Sequence, residues 1–365
     1  MASQRSSQHR RHQYVRDGDG FIESRQEAEF RLDDRYTRLS NLKASGDACC
    51  AVLKSETTGK LVVVKRVRLS AVQRANTDKT DTTSPCPVEA ELLLLKLQPH
   101  PNIVRVYACE DHPSRPNKPL VYMEYCSGRD LLDQILKFQA LGVEIPVIFS
   151  LHVLVGMGHA LAYLHHGLRI NETMDEVRME ENEPIIHGDI KPENIFLRFP
   201  GRQECGMPDV VLGDFGCAQL AEESYGVTGT ESYESPEVLA VNQLKDEDPQ
   251  AYLRAISGKI MTIKSDIYQL GLVLKLMASQ VLFSSGADPL KMELPSKYDD
   301  ENGFRAALVW LLQLNPQDRP ECTLAAKTGF MHVVDDMRKA RDTLFADLGP
   351  VESAYWRGAS TTSAR

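Results

Sequence analysis

The sequence predicts an α+β fold in which a small strand-rich part precedes a larger helical part. Between Leu39 and Leu69, short runs rich in β-branched and apolar residues, such as CCAVL and KLVVVKRV, flank the turn-like SETTGK. After about residue 126 the pattern is mostly helical, and IFSLHVLVGMGHALAYLHH predicts one long amphipathic helix. The chain has 365 residues, 42% of them hydrophobic, and can therefore bury a large core in one domain or two lobes.

The remaining elements follow in order along the chain. The polar residues 1–34 predict a disordered arm. PVEAELLLLKL, residues 87–97, predicts a helix, and KPLVYMEYC, residues 118–126, predicts a buried strand that runs into a short connector. Two acidic stretches, residues 171–183 and 243–250, predict surface insertions of low order.

The composition argues against several classes of protein. The formal net charge is −9, so there is no global basic field for nucleic acid or an anionic membrane, and the expected partners are proteins or small molecules. No apolar run approaches the roughly 18 residues of a membrane helix, and MASQRSSQHRRHQ has no secretory signal, so we expect a cytoplasmic or nuclear protein. Eight cysteines without a C-x-x-C pair predict reduced thiols.

The stretch IIHGDIKPENIF sets an acid, a cation and an amide close together. His187-Gly188-Asp189, Lys191 and Asn194 resemble the catalytic loop of protein kinases. The resemblance implies that Asp189 orients the substrate hydroxyl and accepts its proton, that Lys191 lies against the γ-phosphate, and that Asn194 offers an oxygen to Mg²⁺. The alternative is a polar loop with a proline turn.

A second motif follows the catalytic loop. VVLGDFGCA places Asp214, Phe215 and Gly216 directly after a β-like run, as in the metal-binding loop of protein kinases. The resemblance implies that Asp214 binds the Mg²⁺ that bridges the phosphates, that Phe215 packs inside and that Gly216 permits a bend. D-F-G alone is a common turn, but its order after the first motif makes chance a poor explanation.

The strand-rich part contributes a lysine to the same resemblance. Lys65 in LVVVKRV occupies the ATP-anchoring position of the family, and Glu91 in the following helix is its expected partner. A lysine held by a carboxylate can bind the α- and β-phosphates in a fixed position. Glu89 is a rival for the partner role, and the alternative is an ordinary strand lysine with a solvated glutamate.

The segment GTESYESPE resembles the substrate-binding end of the kinase activation segment, with serine in place of alanine before Pro-Glu. The resemblance implies that Glu237 forms a buried ion pair with Arg319. It further implies that Asp266 holds the backbone of the catalytic loop, to which His187 belongs. Thr230 matches a threonine that bonds the catalytic aspartate and lysine. These residues are expected to position the reacting groups or the substrate.

The resemblance also implies an adenine site with flat apolar walls, backbone bonds from the connector and a carboxylate near the ribose. The residues at these positions are Val52 and Val63 above the base, Phe196 below it, Met123 as gatekeeper, Glu124 and Cys126 in the connector, and Asp130 near the ribose. Each apolar residue among them could instead belong to an ordinary core.

The chain departs from the family pattern at two places. The phosphate-covering loop has only Gly46, flanked by Ala44 and Cys49 where the family has glycine, which predicts weaker or unusual nucleotide binding. In many kinases an arginine at the position of Gly188 binds a phosphorylated activation loop. This chain has no Arg-Asp pair in its catalytic loop and is therefore a non-RD variant. We therefore expect activity that does not depend strongly on activation-loop phosphorylation.

The resemblance covers about residues 36–335 and implies a bilobal kinase-like fold. The expected organisation is an N-lobe over residues 35–123 with one regulatory helix, a hinge over 124–128, a helical C-lobe over 129–335, and a helix end with a loose tail over 336–365.

The implied function is that of a serine/threonine protein kinase that transfers the γ-phosphate of ATP to protein hydroxyls with Mg²⁺. Lys191 and Thr230 are typical of this specificity. The alternative is a pseudokinase that acts as a nucleotide-binding or scaffold module, which the altered glycine loop and Gly188 favour; a small-molecule kinase is a more distant one. The presence of both metal ligands and a proton acceptor favours the enzyme, because a scaffold has no need for that combination.

Overall fold

The computed structural model describes residues 14–15, 30–42, 49–67, 87–112, 115–171, 174, 176–199, 207–224, 226–281, 289–291, 293–298 and 303–346. The chain divides into two compact units. The N-terminal unit comprises residues 1–81, 86–98 and 105–125, and the C-terminal unit comprises residues 82–85, 99–104 and 126–365.

The N-terminal unit contains a six-stranded antiparallel sheet. Its strands are β1 Tyr14–Val15, β2 Tyr36–Leu42, β3 Cys49–Ser55, β4 Leu61–Arg66, β5 Val106–His112 and β6 Arg115–Glu124. They are arranged in the order β1-β5-β6-β4-β3-β2. The runs CCAVL and KLVVVKRV, rich in β-branched residues, thus form the neighbouring strands β3 and β4.

The strand register places predicted nucleotide-binding residues on one face of this sheet. Val52 pairs with Val63, and Val63 pairs with Met123 on the next strand. Directly opposed residues point to the same side of a sheet, and so do residues two apart on one strand. Lys65 therefore lies on the same face as these three apolar residues.

The opposite face carries an apolar cluster. Its buried members are Val62, Tyr107, Ala108 and Tyr122, and the residues packed against them are Phe30, Leu32, Tyr36, Leu53, Val64 and Leu120. The ring of Phe30 stacks on that of Tyr107 with centroids 5.1 Å apart. The helix α1, Pro87–Lys96, also belongs to this unit and packs against β5. It begins at a proline, which the first turn of a helix tolerates.

The C-terminal unit is mostly helical. Its helices are α2 Leu131–Ala140, α3 Val147–His166, α4 Pro236–Glu247, α5 Pro249–Ile256, α6 Ile263–Ser279, α7 Phe304–Leu311 and α8 Met331–Ala346. The central helix α3 packs against α8, α6 and the strand β11, Asp209–Leu212.

The prediction that α3 is amphipathic is wrong. Its residues from Ile148 to His165 are all buried, so apolar side chains are needed on every side of the helix. Two glycines allow this close packing. A Cβ at Gly156 would stand 2.8 Å from Val210, and one at Gly158 would stand 2.6 Å from Val334.

The expectation that no apolar run approaches the length of a membrane helix is also wrong for α3. Within the described part of the chain, this helix is long and apolar enough to cross a membrane, with a mean hydropathy of 1.7. However, 89% of that window is buried inside the protein, as in the core helix of a soluble protein.

The described part of the C-terminal unit also contains three two-stranded sheets. The strand β7, Leu168–Ile170, pairs with β8, Val177–Met179, and β9, Ile185–Ile186, pairs with β12, Gln219–Leu220. The strand β10, Ile195–Arg198, pairs with β11.

The acidic stretch 243–250 is not a low-order insertion, because it lies within α4 and the start of α5. Asp248 ends the first helix and caps the second, and its side chain accepts hydrogen bonds from the amides of Gln250 and Ala251 at 3.1 and 3.0 Å. A carboxylate in this position satisfies amides that have no partner within the helix.

In contrast, the α+β class, with strands first and helices after, is confirmed. The exact domain limits stay predictions. The disordered arm expected over residues 1–34 does not fit the described residues Tyr14–Val15, Phe30 and Leu32, because they lie in the sheet or pack in its apolar cluster.

Candidate active site

The catalytic-loop sequence lies between β9 and β10 in the C-terminal unit and is held by the helix α6. Asp266 on this helix accepts hydrogen bonds from the backbone amides of His187 and Gly188, both at 2.8 Å. Its carboxylate also bonds Nε2 of the buried His165 at 2.8 Å. Asp266 exposes 0% of its surface, so these donors compensate the burial of its carboxylate.

Gly188 has a conformation that few other residues adopt. Its φ is +77°, in the left-handed region. A Cβ there would stand 3.0 Å from Cε of Met261, 3.0 Å from Oγ1 of Thr228 and 3.1 Å from the carbonyl oxygen of Cys217. The backbone angle and the surroundings therefore both favour glycine at this position.

Three polar side chains surround Asp189, which is itself 8% exposed. Thr230 donates to Oδ1 at 2.7 Å, and Lys191 lies with Nζ 2.9 Å from Oδ2. Nδ2 of Asn194 donates to Oδ2 at 3.0 Å. Lys191 also donates to the Thr230 hydroxyl at 2.5 Å, so lysine, threonine and aspartate form a closed triangle. These bonds fix the orientation of the carboxylate.

The two predicted metal ligands lie at one end of the β10–β11 hairpin. Asn194 directly precedes β10, and Asp214 follows β11 after one glycine. The backbone carbonyl of Asn194 accepts the amide of Gly213 at 2.9 Å, so the two chain segments are bonded where the ligands stand. Because Nδ2 of Asn194 also donates to the carbonyl of Asp189 at 2.7 Å, its amide oxygen is the atom left for a cation.

The Asp-Phe-Gly motif packs against the catalytic loop. His187 bonds the carbonyl of Gly213 through Nε2 at 3.0 Å, and its ring meets the buried ring of Phe215 edge-on at 4.7 Å. Asp214 has a left-handed backbone with φ +57°. Burial, followed by the charges of Asp189 and Asp214, raises the pKa of the Cys217 thiol to about 11. The carboxylates of Asp189 and Asp214 are thus both close enough to Cys217 to raise the pKa of its thiol.

The activation segment is anchored near Gly188 by Met261. The amide of Thr228 points to Sδ of Met261 at 3.1 Å, and the hydroxyl of Ser224 donates to the Met261 carbonyl at 3.3 Å. The Thr228 hydroxyl lies 3.5 Å from the carbonyl of Cys217. The Thr228 hydroxyl thus contacts a thioether and a carbonyl, both of them uncharged.

The end of the activation segment is fixed by Glu237 and Arg319. The two arginine nitrogens donate to the two carboxylate oxygens at 2.8 and 2.7 Å. Ser265 on α6 donates to Oε1 of the same carboxylate at 2.8 Å. Burial tends to raise the pKa of Glu237, but the hydrogen bonds and charge of Arg319 outweigh it and hold the pKa below its ordinary value.

The predicted adenine residues of the C-terminal unit lie around the start of α2. Asp130 forms a bridge with Phe196, and its carboxylate caps α2 by accepting the amide of Asp133 at 2.8 Å. One carboxylate oxygen of Asp130 is therefore already used as a hydrogen-bond acceptor. Burial is the main cause that raises the pKa of Asp130. Cys126 belongs to this unit and is partly exposed.

In the N-terminal unit, Lys65 is 9% exposed and lies between Cys50 and Val121 in the sheet register. Glu124 uses its carboxylate to accept the amide of Arg105 at 2.9 Å. The backbone of Glu91 lies on α1, but its side chain is outside the described residues, as is the whole of Gly46.

Several residues in this site were not predicted from the sequence, Gln269 and Met261 among them. Gln269 on α6 bonds the backbone of the catalytic loop, and Met261 contacts the activation segment. The role of Gln269 could have been predicted from its position three residues after Asp266, which places both side chains on the same side of the helix. Met261 carried no comparable signal.

Comparison with known proteins shows the family of the chain. The protein kinase domain family matches residues 44–331. The human serine/threonine-protein kinase Nek2 is 26% identical over 341 residues, which cover 89% of this chain and 66% of that protein. The G2-specific protein kinase nimA of Emericella nidulans is 25% identical over 320 residues, which cover 81% of this chain and 41% of that protein.

A third relative, the mouse serine/threonine-protein kinase Nek1, is 26% identical over 307 residues, which cover 82% of this chain and 21% of that protein. The chain therefore spans less than two thirds of the length of these relatives. The matched family covers most of the chain and includes the catalytic-loop, Asp-Phe-Gly and Ser-Pro-Glu sequences. The chain belongs to the protein kinase family.

Proposed function

We propose that the chain is a serine/threonine protein kinase that transfers the γ-phosphate of ATP to protein serine and threonine hydroxyls with Mg²⁺. The observation that carries this proposal is the bonding of Asp189 to Thr230, Lys191 and Asn194 beside the Asp-Phe-Gly motif. A module that only binds nucleotide has no need to orient a carboxylate so closely.

Asp189 is proposed to orient the acceptor hydroxyl and to take its proton. The acceptor oxygen forms a bond to the γ-phosphorus while the bond from that phosphorus to the β–γ bridging oxygen breaks, and ADP leaves. The hydrogen bonds to both oxygens of Asp189 hold it in one orientation. Oδ2 receives Asn194 and Lys191, whereas Oδ1, which accepts the Thr230 hydroxyl, can accept a further bond. Orientation of this kind lowers the barrier by reducing the freedom that is lost in the reaction.

Lys191 is proposed to neutralise the charge on the phosphoryl group during transfer. Its ammonium lies between Asp189 and Thr230, and these two partners limit its positions. A fixed positive charge near the transferred group stabilises the transition state without reorganisation during the reaction. Because Thr230 bonds both groups, it links the activation segment to the reacting residues, which supports serine/threonine specificity.

The residues at the β10–β11 hairpin fit a magnesium ion. Mg²⁺ prefers oxygen ligands and binds in kinases through one or two protein oxygens together with phosphates. The amide oxygen of Asn194 and the carboxylate of Asp214 supply such a set. Within the described residues, no group of three or more His, Cys, Asp or Glu side chains could hold a metal alone, so phosphate oxygens would complete the coordination. When bound, the ion neutralises phosphate charge.

The N-terminal unit is proposed to contribute to ATP binding through its own sheet. Val52, Val63 and Met123 form an apolar row on the face that also carries Lys65. Such a row suits the flat face of adenine. The buried lysine is proposed to bind the α- and β-phosphates.

The proposal is tested with purified protein, labelled ATP, Mg²⁺ and a mixed peptide library. We expect wild-type protein to phosphorylate serine and threonine. Asp189→Asn and Lys65→Met should each lower transfer by about 100-fold or more, because the first removes the proton acceptor for the hydroxyl and the second removes the positive charge proposed to bind the α- and β-phosphates.

Two surface variants control for nonspecific effects. Asp336→Asn removes an exposed carboxylate from α8, and Lys54→Met removes an exposed lysine from β3. Both should transfer phosphate at the wild-type rate. Wild-type protein that binds nucleotide but transfers nothing would instead indicate the scaffold function, and labelled tyrosine alone would contradict the serine/threonine specificity.

A further inference from the structure

Gln269 on α6 forms two hydrogen bonds with the backbone of the catalytic loop. Its Oε1 accepts the amide of Ile190 at 2.8 Å, and its Nε2 donates to the carbonyl of Gly188 at 3.3 Å. The side chain is 2% exposed, so water offers little substitute for either bond.

The two bonded groups belong to the residues on either side of Asp189. The carbonyl of Gly188 lies in the peptide unit that precedes Asp189, and the amide of Ile190 lies in the unit that follows it. Fixing both units limits the φ and ψ angles of Asp189, which set the direction of its side chain. Asp266, one turn earlier on α6, fixes the amides of His187 and Gly188.

The surroundings of the Gln269 amide leave little room for adjustment. A Cβ at Gly229 would stand 2.8 Å from the carbonyl of Gly188 and 3.7 Å from Nε2 of Gln269. Gly229 itself has φ +118°, a conformation that favours glycine. The glutamine therefore lies where the activation segment crosses the catalytic loop.

We propose that Gln269 is a positioning residue for Asp189. The bonds of its side chain go to backbone groups of the catalytic loop. It thereby holds the peptide units around Asp189 and keeps the carboxylate in line with the acceptor hydroxyl. This inference rests on the proposed kinase function, because it assigns the purpose of the positioning to the transfer step.

The test compares wild-type protein with Gln269→Leu and Gln269→Met in steady-state transfer to a peptide that the wild type phosphorylates. Both variants keep a buried side chain of similar size and lose both hydrogen bonds. We expect kcat to fall about tenfold or more, while KM for ATP changes by less than about twofold, because nucleotide binding does not use Asp189. Because methionine is more flexible than leucine, Gln269→Met can be tested if the leucine variant does not fold.

Ser150→Ala is the matched control for lost stability. Ser150 is a buried residue of α3 whose hydroxyl bonds that of Tyr298 at 2.9 Å. This control should lower the melting temperature to a similar extent and leave kcat unchanged. A Gln269 variant that folds and keeps the wild-type kcat would overturn the proposal. So would a loss of kcat that Ser150→Ala reproduces.

Amide hydrogen exchange separates this inference from the proposed function. Exchange at Ile190 should be faster in the Gln269 variants than in wild type and in Ser150→Ala, because the amide loses its acceptor. This readout does not require turnover. A wild type without transfer activity would refute the proposed function, whereas unchanged exchange at Ile190 would refute the positioning role of Gln269.

Discussion

The guanidinium of Arg319 meets the carboxylate of Glu237 in a two-bond ion pair in which the arginine side chain is 0% exposed and that of the glutamate is 18% exposed. The arginine also donates to the carbonyls of Gln313, Lys264 and Leu314. It therefore joins the end of the activation segment to two further segments of the C-terminal unit.

Replacing Arg319 with methionine should reduce the free energy of unfolding by about 3–5 kcal/mol, because one buried charge loses its partner and several carbonyls lose their donor. Urea unfolding measures the change. Lys259→Met serves as the control, since Lys259 pairs with Glu222 at an exposed position. It should leave stability almost unchanged. Equal effects of the two substitutions would contradict the structural role of Arg319.

The stability of the protein should fall as the pH decreases from about 6.5. Burial, and then the charge of Arg341, lower the pKa of His152 from 6.5 to about 4. Burial lowers the pKa of His166 to about 4 as well. Between these values the unfolded chain binds protons that the folded chain does not, so folding loses up to about 1.4 kcal/mol per pH unit for each histidine.

This pH dependence is measured by urea unfolding between pH 7 and pH 4. His152→Gln removes one titrating group, and its curve should be flatter than that of the wild type over that range. Nε2 of His152 bonds the carbonyl of Pro208 at 2.7 Å, so the variant should also be less stable at pH 7. Parallel curves for wild type and variant would show that His152 has the same pKa in the folded and the unfolded protein, which would contradict the prediction.

Removing the hydroxyl of Thr230 should impair the transfer step. Thr230→Val keeps the shape of the side chain but loses the bonds to Asp189 and Lys191, so we expect kcat to fall about 10- to 100-fold with little change in the KM for ATP. Thr230→Ser keeps the hydroxyl and should restore most of the activity. Steady-state kinetics on one peptide measure both. If the serine variant is as impaired as the valine variant, the hydroxyl of residue 230 is not what the transfer step requires.

Activity should not depend strongly on phosphorylation of the segment from Cys217 to Ser235. Gly188 offers no guanidinium to a phosphate, and the Thr228 hydroxyl lies 3.4 Å from the thioether of Met261. Phosphatase-treated protein should keep its transfer rate within about twofold. Loss of transfer after this treatment, with the same loss in Thr228→Ala, would contradict the prediction.

The order of the motifs predicted much of the candidate site. Asp189, Lys191 and Asn194 lie close in sequence, and a short loop necessarily keeps them close in space. Thr230 is farther along the chain, and only the family resemblance linked it to Asp189. The structure places its hydroxyl 2.7 Å from that carboxylate.

Other features could not be predicted because they depend on which surfaces pack together. The pattern of α3 suggested one polar side, but α8 and β11 cover it, and Gly156 and Gly158 permit their close approach. The contact of Met261 with Thr228 joins residues far apart in the sequence without charge complementarity or spacing to indicate it. The acidic stretch around Asp248 predicts a loop because aspartate favours turns, but the same residue type also caps helices, and Asp248 does so here.

The helix α6 contacts two segments of the candidate site. Ser265 near its start binds Glu237 at the end of the activation segment, and Asp266 and Gln269 bind the catalytic loop. The rise per residue of this helix thus sets the distance between its contact with the end of the activation segment and its contacts with the loop that holds Asp189. Inserting or deleting one residue here would shift both at once, and compensation elsewhere in the chain would be difficult.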